Sequence, residues 1–173
     1  MTHTISFPSD AAPAFPGITL TLPDDWNPLS VSGSVLAAGK SVEPGTFRPN
    51  IVVGLSRFGT GYTLETAIDA VVKRVESIEG VAELGRDHLE VLGTEGFRVE
   101  FSYPDARVGT LMQAVRLAVV DHGSAVDLVQ ITGTTTGPQA EQLWGEVREI
   151  QESATLSAGA AGAAGPDAPD VPA

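Results

Sequence analysis

Phe47-Arg-Pro-Asn-Ile-Val-Val-Gly-Leu-Ser-Arg-Phe58 is the stretch that decides the fold. Its run Ile51-Val-Val-Gly-Leu55 is almost continuously apolar, so a strand over 50–58 contacts neighbours on both faces and belongs inside a sheet. Gly59-Thr-Gly61 breaks that strand. Thr63 then stands where a helix cap is needed, and Leu64, Ile68, Val71, Val72, Val75 and Ile78 follow at helical spacing. Glu65, Asp69, Lys73 and Glu76 lie off the apolar stripe, with Asp69 and Lys73 forming a favourable i,i+4 pair. Gly80 is expected to end the helix.

Upstream of this unit, residues 2–7 read as a short edge strand and 8–16 as an Ala/Pro-rich loop. Gly17-Ile-Thr-Leu-Thr-Leu22 alternates, with Ile18, Leu20 and Leu22 on one face, as a half-buried strand does. Residues 23–28 read as a turn from which Trp26 folds back on the sheet, and 31–38 as another strand. Downstream, His88–Leu92 and Phe97–Tyr103 alternate around Gly93-Thr-Glu-Gly96. Phe97, Val99, Phe101 and Tyr103 share one face, and Arg98, Glu100 and Ser102 the other. Pro104-Asp-Ala106 turns the chain. A long strand over 108–120 meets Asp121-His-Gly-Ser124 and returns over 125–132 as a hairpin. Thr136 with Gln139 makes a capping box, with Pro138 in the first helical turn. Ala140, Leu143, Trp144, Val147 and Ile150 form the apolar stripe of that helix. Strands, helix, strands, helix is the order of an α+β fold: an antiparallel sheet with helices packed against it.

One domain over 1–156 accommodates all of this. Residues 157–173, rich in Ala, Gly and Pro, bury too little apolar surface to order, so they read as a disordered tail. The 173-residue chain is 42% hydrophobic and 18% charged, with a formal net charge of −12. Ten scattered Lys and Arg residues argue against nucleic acid and against an anionic membrane surface. The absence of cysteine excludes disulfides, thiolate catalysis and Cys-ligated zinc. No signal peptide and no membrane span are visible, which makes the cytoplasm the expected compartment.

Motifs for chemistry are incomplete. A dinucleotide loop at Gly59-Thr-Gly61 would need glycine at position 64, which is Leu64. His3, His88 and His122 have no metal-ligand spacing, and the acids around Asp24, Asp25, Glu79, Glu83, Asp87 and Glu90 lack the pattern of a calcium loop. Asp87-His88 and Asp121-His122 look like acid–imidazole pairs, but neighbours on a strand point to opposite faces, and Asp121–Ser124 suits a hairpin turn. No Gly-x-Ser-x-Gly elbow seats a nucleophile. The reading is therefore no catalytic residue, no metal and no cofactor. Trp26 and Trp144 suit core packing, with a ligand pocket as the alternative.

Leu22-Pro-Asp-Asp-Trp26, Phe47-Arg-Pro-Asn-Ile-Val-Val53, the helix after Gly61, the strand pair over 111–132 and the closing helix around Trp144 resemble the actinobacterial LpqN/LpqT lipoprotein family. The resemblance covers about residues 15–156. It implies a Mog1/PsbP-like fold, a role in binding or assembly (secretion-effector chaperones among its relatives) and no shared catalytic centre. The export signal and lipid-accepting Cys of those lipoproteins have no counterpart here, which favours a cytoplasmic relative. Three readings follow. The first is a non-catalytic protein-binding module, an adaptor or chaperone for a secretion or envelope component, with Trp26, Phe47, Arg57, Phe58 and Tyr62 as candidate partner-binding residues. The second is a carrier of a small apolar ligand between sheet and helix. The third is a hydrolase built on an Asp-His pair.

Overall fold

The computed structural model describes residues 1–157; residues 158–173, most of the expected tail, lie outside the described residues. The decisive stretch becomes β4 (Asn50–Phe58) with the boundaries its pattern predicts. It is central in a seven-stranded antiparallel sheet of order β2-β3-β4-β8-β7-β6-β5. The others are β2 (Trp26–Pro28), β3 (Leu36–Lys40), β5 (Ala82–Val91), β6 (Thr94–Asp105), β7 (Gly109–Asp121) and β8 (Val126–Thr136). A separate two-stranded ladder joins β1 (Gly17–Thr19) to β9 (Thr155–Ser157), so Ser157 belongs to the ordered body.

Helix α1 (Leu64–Glu76) starts where Thr63 Oγ1 accepts the Thr66 amide at 3.2 Å. Its buried Ala67, Ile68, Val71 and Val75 lie on Phe97, Val99, Phe101, Val115 and Leu117. Helix α2 (Gly137–Glu152) opens with the expected capping box. It covers the opposite face, where Val147 and Ile150 meet Ile51, Val53, Ala118, Val129 and Ile131. The sheet thus separates two apolar cores, each sealed by one helix.

Several boundaries differ from the sequence reading, each for a local reason. Residues 2–7 form no strand; they are exposed and find no ladder partner. The strand from Gly17 stops at Thr19 because β9 has only three residues; the Thr21 amide then turns to Ser153 Oγ at 2.8 Å. Residues 31–34 form a turn at Gly33, whose φ is 78°, so β3 starts only at Leu36. The predicted turn at 23–28 ends in strand β2, with Trp26 opposite Lys40. Ser77, not Gly80, closes α1, its hydroxyl donating to the Arg74 carbonyl at 2.7 Å. Strand β6 continues through Pro104 to Asp105, whose carboxylate accepts the Arg107 and Val108 amides and makes the turn there. Strand β8 runs past residue 132 to Thr136, directly into the α2 cap.

Candidate functional site

Strand alternation sorts the candidate residues. Val52, Gly54 and Ser56 of β4 sit beside Thr132, Gln130 and Leu128 of β8. Gln130 in turn faces Leu117, a residue of the core beneath α1, so this row lies on the α1 side. Helix α1 packs onto β6 and β7. The row on β4 and β8 is left open: Val52, Gly54, Gln130 and Thr132 are half-buried and Ser56 is exposed. A Cβ built on Gly54 meets nothing within 4 Å. Beside it, Gln130 Nε2 donates to Thr132 Oγ1 at 3.1 Å, and Gln113 Nε2 donates to Thr134 Oγ1 at 3.1 Å. At the end of this row Phe58 and Tyr62 stack at 3.8 Å between centroids and 6° between planes, with Phe58 37% exposed. The patch combines an apolar floor, amide and hydroxyl groups, and an aromatic pair at its rim.

Arg57 precedes Phe58 in sequence but points to the other face. There its Nε and Nη2 donate to both oxygens of Asp127 at 2.7 Å each, and His122 Nε2 lies 2.7 Å from Asp127 Oδ2. Asp127 is fully buried. Burial alone would raise its carboxyl pKa; the hydrogen bonds from Arg57 and His122 outweigh this and hold it below the usual range. The sequence did not single out Asp127, although it is an acid within an otherwise apolar strand pattern, Val126-Asp-Leu-Val129. Asp121, the acid adjacent to His122 in sequence, accepts the Gly123 amide at 2.7 Å and shapes the turn. Ser124 Oγ donates to the Asp10 carbonyl at 2.9 Å rather than to the imidazole. At the other sequence pair, Asp87 binds Arg98 at 2.7 Å, while His88 lies edge-on to Phe97.

Trp26 and Phe47 are near the far end of β4, about 27 Å from Phe58 at ~3.4 Å per residue. Trp26 is buried, and its Nε1 donates to Glu146 at 2.6 Å; Lys40 donates to the same oxygen at 2.7 Å. Phe47 is half-buried, and its carbonyl accepts Gln139 Nε2 at 2.7 Å. Of the five candidates, the structure groups only Phe58 with Tyr62, sets Arg57 behind them, and keeps Trp26 and Phe47 apart. Trp144 is half-buried, its Nε1 donating at 3.2 Å to Glu100, which Arg148 also grips in bidentate fashion. Burial would raise the Glu100 pKa, but Arg148 and Trp144 hold it low, pinning α2 to β6. An apolar cleft of about 250 Å³ lies between residues 18–22 and β3, lined by Ile18, Leu20, Leu22, Leu36 and Ala38.

No protein-family model and no curated protein sequence matches the chain. Solved structures do. LpqN of Mycobacterium tuberculosis, a protein involved in cell envelope biogenesis, superposes with a TM-score of 0.72 at 20% identity, over 84% of this chain and 86% of that one. The chain has the LpqN-like, Mog1/PsbP-like fold. The cyanobacterial PsbP (CyanoP) of Synechocystis sp. PCC 6803 matches at a TM-score of 0.57 and 13% identity, over 82% of this chain and 87% of that one. The Ran-binding protein Mog1p of Saccharomyces cerevisiae matches at 0.51 and 15%, over 80% and 89%. The antiparallel sheet with helices packed against it is thus the α+β arrangement expected from the sequence. Among the described residues no helix is long and apolar enough to cross a membrane.

Proposed function

We propose that this chain is a non-catalytic protein-binding module that receives its partner on the open β4–β8 face. The observation that carries this reading is Gly54. Glycine in a strand interior weakens the strand and often marks where another backbone or a ligand approaches closely. Here no packing demand accounts for it, because the space above it is empty. The mixed apolar and hydrogen-bonding lining beside it, with Phe58 and Tyr62 at the rim, suits a protein surface, since aromatic residues are enriched in interface cores. Mog1p is a Ran-binding protein with this fold, which supports a protein partner. LpqN's involvement in envelope biogenesis supports a secretion or envelope component as that partner, with the chain acting as adaptor or chaperone. Gly54→Arg tests the site: it fills open space without touching either core. Affinity purification from the native host should yield a stoichiometric protein with wild type and lose it with Gly54→Arg, while the melting temperature does not fall. Equal recovery with both would refute the site, and no stoichiometric protein with either would refute the function.

The cleft at Ile18 and Leu36 favours a second reading, carriage of a small apolar ligand. Its volume, about 250 Å³, lies just below the usual range of ~300–1,000 Å³ for ligand sites. Leu36→Trp would occlude it; an environment-sensitive apolar dye that binds wild type and this variant equally would sink the idea.

A further inference from the structure

Segment 1–16 makes no ladder hydrogen bond with the body before Gly17, yet it is held across one end of the large sheet. Arg57 Nη1 donates to the Pro13 carbonyl at 2.5 Å, and the Arg57 guanidinium lies 4.3 Å from the centroid of the Phe15 ring. Ser124, in the β7–β8 turn, donates to the Asp10 carbonyl at 2.9 Å. The receiving groups are rigid: Asp127 holds Arg57 in bidentate fashion, and is itself buried and bonded to His122. The held segment is loose by comparison, with Phe15 still 42% exposed and Phe7 60% exposed.

We infer that Arg57 and Ser124 form a receptor for a short peptide that leaves a turn, occupied in this chain by its own residues 10–15, which follow the Ser9–Ala12 turn, and open to a partner peptide that displaces them. The partner's chemistry follows from the contacts. Two are made by main-chain carbonyls, which any sequence supplies. The third requires an aromatic ring two residues beyond the carbonyl that Arg57 binds, because a guanidinium attracts the π-face. The surface lies on the α2 side, so it adds to the β4–β8 face and rests on the protein-binding reading only in the kind of partner. Each can fail alone: Gly54→Arg reports on one, the following experiment on the other. The tether gives the resident segment a high effective concentration, so a competing peptide binds the intact chain weakly, in proportion to the fraction of time the receptor is vacant.

The probe is a fluorescein-labelled peptide of residues 7–16, titrated by anisotropy into the full chain. Phe15→Ala in the chain loosens the resident segment without touching the core. It should bind the probe about ten-fold or more tighter than wild type does. Adding Arg57→Gln with Asp127→Asn, which removes the guanidinium and neutralises the carboxylate together, should abolish that gain. Ser124→Ala, on the exposed turn, should weaken probe binding even if the paired variant fails to fold. Equal affinity in wild type and Phe15→Ala, no binding in either, or binding unchanged by Ser124→Ala would overturn the receptor. A wild-type dimer in light scattering that dissociates on Phe15→Ala would make a second copy the occupant and overturn the partner-peptide reading.

Discussion

Asp127 shows how one buried charge organises its surroundings. Arg57 and His122 both converge on it, and it has no access to water. Removing one member of a buried pair leaves the other uncompensated, so Arg57→Ala should destabilise the fold by about 3–5 kcal/mol in urea titrations. The pH dependence follows from the depressed carboxyl pKa. A group whose folded pKa lies below its unfolded value stabilises the fold at pH above the unfolded value, about 3.9 for Asp, and loses that contribution as pH falls through the folded one. Wild type should therefore lose stability as the medium is acidified below about pH 4, and Asp127→Asn should show a shallower acid limb in melts recorded across that range. None of this cluster was legible in the local sequence. His122 has Asp121 beside it in the chain, but a tight turn spends Asp121 on a backbone amide, and the ring reaches five residues on instead. Arg57 and Phe58 look like one site in sequence, yet a strand sends neighbours to opposite faces.

Among the elements, β4 and the two helix starts were the most legible, because each is written in contiguous residues: an apolar run ending in glycines, a threonine before a periodic stripe, a capping box. Thr136→Ala should cost about 1 kcal/mol of stability, since Thr136 Oγ1 is the acceptor for the Gln139 amide at the start of α2. Strands β2 and β9 were illegible, being three residues each; β9, moreover, pairs with residues nearly the whole chain away. The open β4–β8 face was also hidden, since residue pattern says which side chains share a face but not where a helix stops covering it. Gly54 separates fold from function within β4. Gly54→Val should raise unfolding stability by about 0.5–1 kcal/mol, because a β-branched residue restricts the unfolded chain and fits the pleat. The same substitution should reduce partner recovery, and that opposition distinguishes a binding surface from an idle one.

At the scale of the whole molecule, one sheet serves two cores: β4 faces the core under α2, β6 the core under α1, and β7 and β8 contribute to both. Both tryptophans lie on the α2 side: Trp26 in that core, and Trp144 on α2 itself. Phe101 is buried on the α1 side. Phe101→Ala should cost about 3–5 kcal/mol. If the sheet couples the cores into one cooperative unit, the urea midpoint followed by tryptophan fluorescence should fall together with that followed by far-UV circular dichroism. Separate midpoints would mean that each face unfolds independently. The architecture itself was legible because strand and helix order leaves few arrangements. Which face each helix takes was not, since each helix carries an apolar stripe that would pack on either side of a sheet.

The pairing of β1 with β9 has a consequence for how this fold can be joined to others. Gly17 and Ser157 sit directly opposite each other, and a Cβ on Gly17 would collide with the Ser157 hydroxyl. Residues 17 and 157 therefore meet at one seam, at a Cα separation of about 5 Å. A body of residues 17–157, cut at that seam, can be spliced into a surface loop of a host protein without prising the loop apart. Its sequence order can equally be rotated by bridging the seam and opening the chain at the exposed bend around Gly45.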